Sequence, residues 1–299
     1  MSVSSSRRGQ NPDPLKPCFG IRFVQVTVSL GGRVVPVRRF IKRALTRHRP
    51  PPRAQAAPPP APEPWQTPDP DLSGTLMDCL DPLLLEAIRR GDLLALATDL
   101  GFGLWSLPVF STEGCQRIAC VVNDRLAWQQ ANPQQSPNSM HYSGVVFEPM
   151  DMAAAVSELR SLIVEPLRTA MYPEIGPLDS DYAFAATYGP GLDRGLGFHV
   201  DDSEITLNVS LDGGYSGGEI VFQGRRCAIH RQDTHRPEEE FAYTIPPGHG
   251  VLHAGNHRHL VNTVRGSRRN LIVWCRSAQT RSAANPDACA PWCGHQPRP

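Results

Sequence analysis

The sequence predicts an α+β protein in which helices come first and an antiparallel barrel or sandwich follows. Apolar residues recur at three- and four-residue spacing from Leu72 to about Ala131, and this period disappears after Tyr182. Beyond Tyr182 the chain carries short apolar runs separated by Gly, Pro and Asp, which is typical of strands joined by turns. With 299 residues, of which 40% are apolar, the chain can build one sizeable domain plus appendages.

The chain begins with a basic arm, which we place at residues 1–48. Residues 1–53 contain twelve Arg and Lys but a single acidic residue, Asp13, so the remainder of this nearly neutral chain is acidic. The stretch IRFVQVTVSLGGRVVPVRRF alternates apolar and polar residues around Gly31 and Gly32, which predicts a short hairpin. The sequence leaves open whether the arm is an organelle transit peptide, a nucleic-acid contact or a solvated, protein-binding tail.

Residues 49–71, RPPPRAQAAPPPAPEPWQTPDPD, hold a third of the protein's prolines. Such a composition predicts a stiff, solvated polyproline-type linker, because proline fixes the backbone and cannot donate a hydrogen bond. The linker is a candidate for binding a partner protein, and it marks the boundary before a domain that we place at residues 72–280.

Three helices are predicted as support for the strands, within residues 72–175. The first begins at the Asp81–Pro82 pair, which is typical of a helix N-terminus. The second follows Ser111 or Thr112, either of which can cap it. The third spans roughly Met152 to Met171.

The strands are predicted within residues 180–278. The apolar runs are YAFAATY, SEITLNVSL, GEIVFQG, EFAYTIP, HGVLHAG and RNLIVWC. Their number and spacing favour an antiparallel barrel or sandwich over a parallel sheet.

The cysteine content and the N-terminal sequence indicate the cellular compartment in which the protein is expected. Eight cysteines without a secretory signal or regular spacing predict reduced thiols. No apolar run is long enough for a transmembrane helix, so we expect an intracellular, soluble protein, with organelle transit left open. In the tail, residues 281–299, Cys289 and Cys293 lie near His295, and Cys275 precedes them, which leaves a small zinc site open.

The stretch GFHVDDSEITLNVSL places His199 two residues before Asp201. Side chains two apart on a strand project from one face, so an imidazole and a carboxylate can converge on one metal ion. A second histidine would complete a facial triad that leaves three positions open on iron(II). His-x-Asp alone is weak evidence, since two solvated residues at a strand end have the same pattern.

Candidates for the third ligand lie in GHGVLHAGNHRHLVNTVRGSRRNLIVW. Its four histidines are His249, His253, His257 and His259. A 2-oxo acid on the open metal positions would need a buried cation for its far carboxylate, and Arg suits this role because its planar fork makes two parallel hydrogen bonds. Arg268 and Arg269 are both placed for it on opposite faces of one strand; we favour Arg268, nine residues beyond His259.

These residues resemble a known family. HVD, followed sixty residues later by HLVNTVRGSR and a strand, is similar to the 2-oxoglutarate/iron(II) dioxygenases of the prolyl and lysyl hydroxylase type. The stretches LDSDYAFAATYGPGLDRGLGFHVDDSEITLNVSL, GYSGGEIVF and GVLHAGNHRH resemble in particular the 2-oxoglutarate and iron-dependent oxygenase domain-containing protein 2 group. The resemblance covers about residues 104–280. It implies a double-stranded β-helix, a jelly-roll or cupin-like barrel, buttressed by the N-terminal helices.

The resemblance implies a role for each candidate site residue. His199, Asp201 and His259 would be the iron ligands, and Arg268 would bind the distal carboxylate of 2-oxoglutarate. Tyr188 stands where family members offer a phenol to that carboxylate, although a barrel aromatic is the alternative. Asn208, which shares a strand face with Thr206, would line the cosubstrate cavity or satisfy strand-end backbone.

The expected activity is hydroxylation of a C–H bond, with Fe(2+), 2-oxoglutarate and O2 consumed and succinate and carbon dioxide released. Ascorbate is a candidate reductant. A protein or peptide substrate is favoured, nucleic acid is disfavoured by the acidic domain, and no membrane span is expected. Two alternatives remain: a non-catalytic metal-containing binding module of the same fold, and a zinc hydrolase using the same three ligands.

Overall fold

The computed structural model describes residues 27–30, 33–36, 68–69, 71–132, 143–147, 150 and 152–295. The chain divides into two compact units, Met1–Pro59 and Pro60–Pro299. In the first unit, β1 (Thr27–Leu30) and β2 (Arg33–Pro36) pair antiparallel. The rest of the predicted arm and most of the predicted linker lie outside the described residues.

The helices lie mainly before the long strands. They are α1 (Asp71–Gly74), α2 (Pro82–Arg90), α3 (Thr112–Ala131), α4 (Ala153–Leu159), α5 (Glu165–Met171) and α6 (Ala278–Ala283). Among the described residues, no helix is both long and apolar enough to cross a bilayer.

Local sequence explains where these helices begin and end. The Asp81 carboxylate accepts a hydrogen bond from the Leu83 backbone N–H and caps α2, which ends at Gly91 in the left-handed conformation. The Ser111 hydroxyl accepts from the Gly114 N–H and caps α3, so Ser111 rather than Thr112 is the cap. A π-helical turn, Arg160–Val164, joins α4 to α5, so that the predicted third helix is continuous.

One part of the predicted helical segment is wrong. Two strands, β3 (Thr98–Gly101) and β4 (Leu104–Pro108), pair antiparallel within it. Gly101 and Gly103 adopt φ of 79° and 72°, which reverses the chain between the strands and which a residue with a Cβ rarely adopts. The hairpin is held by its pairing with a distant strand, a contact that local apolar spacing does not reveal.

Seven antiparallel strands form the larger sheet. Their spatial order is β3, β4, β12 (His249–Ala254), β8 (Ile205–Ser210), β15 (Arg268–Arg276), β6 (Ser180–Tyr188) and β5 (Gly144–Val146). The predicted α+β class, with antiparallel strands after the helices, is therefore confirmed. Apart from the pairs β3–β4 and β5–β6, neighbouring strands are not consecutive, so most of the sheet is built from contacts between residues far apart in sequence.

Four further strands form a smaller antiparallel sheet. Their order is β11 (Glu240–Tyr243), β10 (Ile220–Arg225), β13 (His257–Val261) and β7 (Leu196–His199). Two short strands, β9 (Ser216–Gly217) and β14 (Val264–Arg265), pair separately. The chain passes from the larger sheet to the smaller one at Gly255, where a Cβ would lie 1.9 Å from the Ser203 carbonyl oxygen. Only glycine permits that close approach.

The two faces of the larger sheet differ in chemistry. The outer face packs against the helices through apolar side chains, among them Leu207, Val209, Leu271 and Val273. The inner face carries Thr206, Asn208, Arg268, Asn270, Ile272 and Trp274, which alternate with that apolar set. A second apolar cluster, including Phe184 and Trp274 of the larger sheet and Phe222 and Val261 of the smaller one, joins the two sheets.

Candidate metal centre

The three residues predicted as metal ligands lie together. His199 ends β7, Asp201 follows it by two residues, and His259 is directly opposite His199 in the pairing of β13 with β7. The Asp201 Oδ1 atom lies 3.6 Å from His199 Nε2 and 3.8 Å from His259 Nε2. The two imidazole ring centroids are 4.2 Å apart. Both rings therefore face one point beside a carboxylate, as a shared metal ion requires.

Backbone carbonyls orient both imidazoles. His199 Nδ1 lies 2.8 Å from the Gly197 oxygen, and His259 Nδ1 lies 2.9 Å from the His257 oxygen. Because a carbonyl can only accept a hydrogen bond, each Nδ1 carries the proton and each Nε2 presents a lone pair towards Asp201. This arrangement is typical of metal-binding histidines.

Asp201 is buried, with 4% of its side chain exposed. Burial would raise the pKa of this carboxyl, but the imidazoles of His259, His253 and His199 together hold it below its usual value. The Thr206 hydroxyl donates to Asp201 Oδ2 at 2.6 Å, which leaves Oδ1 facing the two Nε2 atoms. The site thus offers two neutral nitrogens and one anionic oxygen, a donor set that fits iron(II).

His253 lies behind the three candidate ligands. It is fully buried, its Nδ1 donates to the Ala254 carbonyl oxygen at 3.0 Å, and its Nε2 lies 3.8 Å from Asp201 Oδ2. Burial, together with the neighbouring His259, lowers the pKa of this imidazole to about 4, so it is neutral near pH 7. Because Nδ1 holds the only proton of the neutral ring, Nε2 has none to donate, and it has no hydrogen-bond partner among the described residues.

His257 is buried as well, with 1% of its surface exposed. Although it was one of the four candidates for the third ligand, its ring packs against Phe222, with centroids 5.1 Å apart. Its two ring nitrogens have no hydrogen-bond partner among the described residues.

Arg268 begins β15 and lies opposite Tyr188 of β6. Only 1% of Arg268 is exposed, yet its Nε and Nη1 atoms have no hydrogen-bond partner among the described residues. Its guanidinium carbon lies 5.4 Å and 5.8 Å from the ring centroids of Tyr188 and Tyr215. A buried cation without hydrogen bonds is costly, so the geometry fits a site that an anionic group completes.

Arg269 points to the opposite face. Its Nε donates to Asp212 Oδ2 at 2.6 Å, and its Nη1 donates to Asn123 Oδ1 at 2.6 Å. The carboxylate of Asp212 therefore already neutralises the Arg269 guanidinium. Of the two candidate arginines, Arg268 is the one on the inner face of the sheet.

A narrow cleft opens beside the metal site. Its walls are Phe184, Tyr188, Leu196, His199, Asp201, Asn208, His259, Val261, Ile272 and Trp274. Asn208 lies in this wall, where its Oδ1 accepts from Asn270 Nδ2 at 2.6 Å. Five of the six sequence-predicted site residues line this cleft, and the sixth, Arg268, lies against the ring of the cleft-lining Tyr188.

Two contributors to the site were not assigned from sequence. Thr206 bonds Asp201, and the only sequence signal was that it shares the face of Asn208. Tyr215 approaches Arg268 from the glycine-rich stretch GGYSGGEIVFQG, where an aromatic residue between two pairs of glycines was the available signal. Neither signal indicates a partner by itself.

Comparison with known proteins gives relatives of one kind. No family model matches the sequence. The Arabidopsis thaliana 2-oxoglutarate and iron-dependent oxygenase domain-containing protein ICU11 is 35% identical over 198 residues, which cover 64% of this chain and 50% of that protein. The Homo sapiens 2-oxoglutarate and iron-dependent oxygenase domain-containing protein 2 is 32% identical over 192 residues, which cover 62% and 52%. The chain spans about half the length of these curated relatives.

One similar solved structure is a prolyl hydroxylase from Trichoplax adhaerens in complex with a hypoxia inducible factor peptide fragment. The matched region covers 69% of this chain and 97% of the Trichoplax adhaerens chain. The identity is 13% and the TM-score is 0.45.

These sequence relatives show what kind of protein this chain is similar to. The chain is a homologue of the 2-oxoglutarate and iron-dependent oxygenases. More particularly, its relatives are the plant and vertebrate proteins named for a 2-oxoglutarate and iron-dependent oxygenase domain, as the sequence resemblance predicted.

Proposed function

We propose that this chain is an iron(II)- and 2-oxoglutarate-dependent dioxygenase that hydroxylates a C–H bond of a protein side chain and releases succinate and carbon dioxide. The observation that carries the proposal is that two features lie close together at one cleft, joined by Tyr188, which lines the cleft and contacts Arg268. One is the convergence of His199, Asp201 and His259, and the other is a buried Arg268 with unpartnered nitrogens. The names of the relatives support dependence on iron and 2-oxoglutarate.

We further infer that the seven-stranded sheet and the four-stranded sheet together form a double-stranded β-helix. Support comes from their antiparallel pairing, from the crossing between them at Gly255, and from the apolar cluster that joins them. In such a barrel, residues from both sheets face one interior, which accounts for the meeting of His259 with the inner-face residues of the larger sheet.

His199, Asp201 and His259 would hold the iron through two Nε2 atoms and Oδ1. Iron(II) in this site supplies the chemistry that activates dioxygen and couples it to decarboxylation of 2-oxoglutarate. The backbone carbonyls keep the Nε2 lone pairs directed at the ion, and Thr206 fixes which carboxylate oxygen faces it. These contacts set the ligands before any metal binds, so little reorganisation is needed.

Arg268, Tyr188 and Asn208 would bind the cosubstrate. Arg268 offers guanidinium donors to the distal carboxylate, which would neutralise a cation that is otherwise buried unpaired. Burial raises the pKa of the Tyr188 phenol above its ordinary value, so it remains a hydrogen-bond donor to that carboxylate. Phe184, Ile272 and Trp274 line the cleft beside the metal site and would limit the access of water to a cosubstrate bound there.

The substrate would approach from the side of His199. A second cavity beside His199 is lined by Phe198, Val200, Arg231, Gln232 and Arg258, and 49% of Phe198 is exposed. An exposed aromatic residue with two cations beside it suits an extended protein segment better than a small molecule that must be enclosed.

The test is a succinate assay with purified protein, iron(II), 2-oxoglutarate, ascorbate and pools of peptides. We expect peptide-dependent succinate, and a peptide product heavier by one oxygen atom, from wild type and from Asp202→Ala but not from Asp201→Ala. A protein that binds iron and 2-oxoglutarate yet yields no succinate with any pool would be a binding module. Turnover that persists without 2-oxoglutarate would instead indicate a zinc hydrolase.

A further inference from the structure

A second cluster of metal-ligating side chains lies where the C-terminal tail meets the loop that follows β10. We call it the thiol cluster and define it as Cys227, His230, Cys289 and Cys293. One ligand atom from each lies within 4.8 Å of the others. None of these four residues belongs to the iron site, so the cluster is separate from the proposed activity.

Two short turns place the ligand pairs. Cys227 precedes the 3-10 turn Ala228–His230, so this pair is separated by two residues. In the tail, the Cys293 N–H donates to the Ala290 carbonyl oxygen and closes a turn in which Cys289 and Cys293 are separated by three residues. Two ligands from one turn and two from another is the usual construction of a small structural zinc site.

The measured separations fit a tetrahedral ion. His230 Nδ1 lies 3.2 Å from Cys227 Sγ and 3.6 Å from Cys293 Sγ. Typical zinc–sulfur and zinc–nitrogen bond lengths imply a sulfur–nitrogen separation of about 3.6 Å across a tetrahedron. The Cys227 backbone N–H also points at Cys293 Sγ, with the nitrogen 3.4 Å from the sulfur, so the two turns are in direct contact.

The surroundings of His230 hold its ring in place. His295 stacks on it, with ring centroids 3.6 Å apart and planes inclined by 3°. His295 Nδ1 in turn lies 2.7 Å from Asp233 Oδ2. His295, which the sequence suggested as a ligand, thus buttresses the ligand His230, while Cys275 lies buried in β15 and takes no part.

We propose that Cys227, His230, Cys289 and Cys293 bind one zinc ion that fastens the tail to the loop after β10. Three thiolates and one imidazole form a soft, four-coordinate set that favours zinc and leaves no open position, so the role is structural. The iron site differs in that it offers one carboxylate and no sulfur.

The zinc site has a consequence for the substrate side of the cleft. Arg231 and Gln232 follow His230 directly and line the cavity beside His199. An ion that fixes His230 would therefore hold this wall in place, and its loss would loosen the wall without touching the iron ligands.

The proposal is tested on the full chain by replacing bound metal with cobalt(II). We expect a thiolate-to-cobalt charge-transfer band in wild type and in Cys120→Ser, a matched control at an exposed cysteine on α3. The Cys289→Ser/Cys293→Ser variant should lose the band. The His199→Ala/Asp201→Ala variant should keep it, because the iron site has no sulfur.

Metal analysis gives a second readout. In the His199→Ala/Asp201→Ala background we expect about one zinc per chain, falling close to zero when Cys289 and Cys293 are also replaced by Ser. The proposal is overturned if wild type shows no thiolate–cobalt band, if zinc content is the same with and without the two cysteines, or if protein purified without reductant contains a Cys289–Cys293 disulfide and no zinc.

Discussion

The two faces of the seven-stranded sheet are made by the same strands and are almost equally buried, but they do different things. On β8 and β15, the outer face carries Leu207 and Leu271 against the helices, while the inner face carries Asn208 and Arg268 towards the cleft. An apolar face stabilises the fold by leaving water. A buried polar face is costly to form, and it is retained where a ligand supplies the missing partners. Because neighbouring residues on a strand point to opposite faces, adjacent positions contribute to stability and to the functional site respectively.

The largest expected effect is on the inner side, at Asp201. We expect Asp201→Ala to abolish turnover, because it removes the only anionic oxygen from the ligand set. The neighbour Asp202 is the matched control, since its carboxylate forms ion pairs with Arg276 and Arg281 at the surface. Asp202→Ala should keep activity within about two-fold, because exposed ion pairs contribute only about 0–1 kcal/mol. Equal losses from both changes, measured by succinate release, would contradict the assignment.

The next effect is on the outer side, at Leu207. Leu207→Ala should lower the free energy of unfolding by about 2–5 kcal/mol, since it leaves a cavity between sheet and helices. The affinity of the folded protein for 2-oxoglutarate should not change. Urea unfolding of the metal-free protein, followed by ligand titration well below the transition, measures both quantities. A large change in affinity with little loss of stability would mean that the two faces are not separate.

The pair Arg268→Leu and Arg269→Leu sharpens the comparison at adjacent residues. Arg268→Leu should weaken 2-oxoglutarate binding by about 100-fold. This factor corresponds to the loss of roughly 3 kcal/mol, which is typical of hydrogen bonds between charged groups. It should not destabilise the ligand-free protein, because it removes an unpartnered buried cation. Arg269→Leu should leave the affinity unchanged and lower stability by about 1 kcal/mol, through loss of its bonds to Asp212. The opposite pattern would assign the cosubstrate to Arg269.

The smallest expected effect is at Tyr188. Tyr188→Phe keeps the ring against Arg268 and removes only the hydroxyl, so we expect 2-oxoglutarate affinity to fall about three- to ten-fold. Iron affinity in the absence of 2-oxoglutarate should not change. If affinity for 2-oxoglutarate is also unchanged, Tyr188 only packs inside the barrel and its hydroxyl does not bind the cosubstrate.

The sequence predicted the parts of this site that local periodicity determines. His199 and Asp201 followed from their spacing, and the opposite orientation of Arg268 and Arg269 followed from strand alternation. Which of these arginines faces inward depends on Asp212 and Asn123, whose approach to Arg269 is a contact across the fold. Alternation alone could therefore not decide between them.

Other features depended on long-range pairing and were missed. The β3–β4 hairpin lies within a stretch of helical apolar spacing and is held by β12, more than 140 residues later. Cys289 and Cys293 were noticed in sequence, but Cys227 and His230 reach them only through the folding of the tail onto the loop after β10. A cluster assembled from two distant turns leaves no local pattern to read.

The central claim is that one iron ion is held by His199, Asp201 and His259 in a cleft that also binds 2-oxoglutarate. Anaerobic titration of the metal-depleted protein with iron(II) and 2-oxoglutarate, followed by visible absorption, tests it most directly. We predict a weak metal-to-ligand charge-transfer band that needs both components, saturates at one iron per chain, and is absent in Asp201→Ala. A band of full intensity in Asp201→Ala, or none in wild-type protein that binds both components, would contradict the claim.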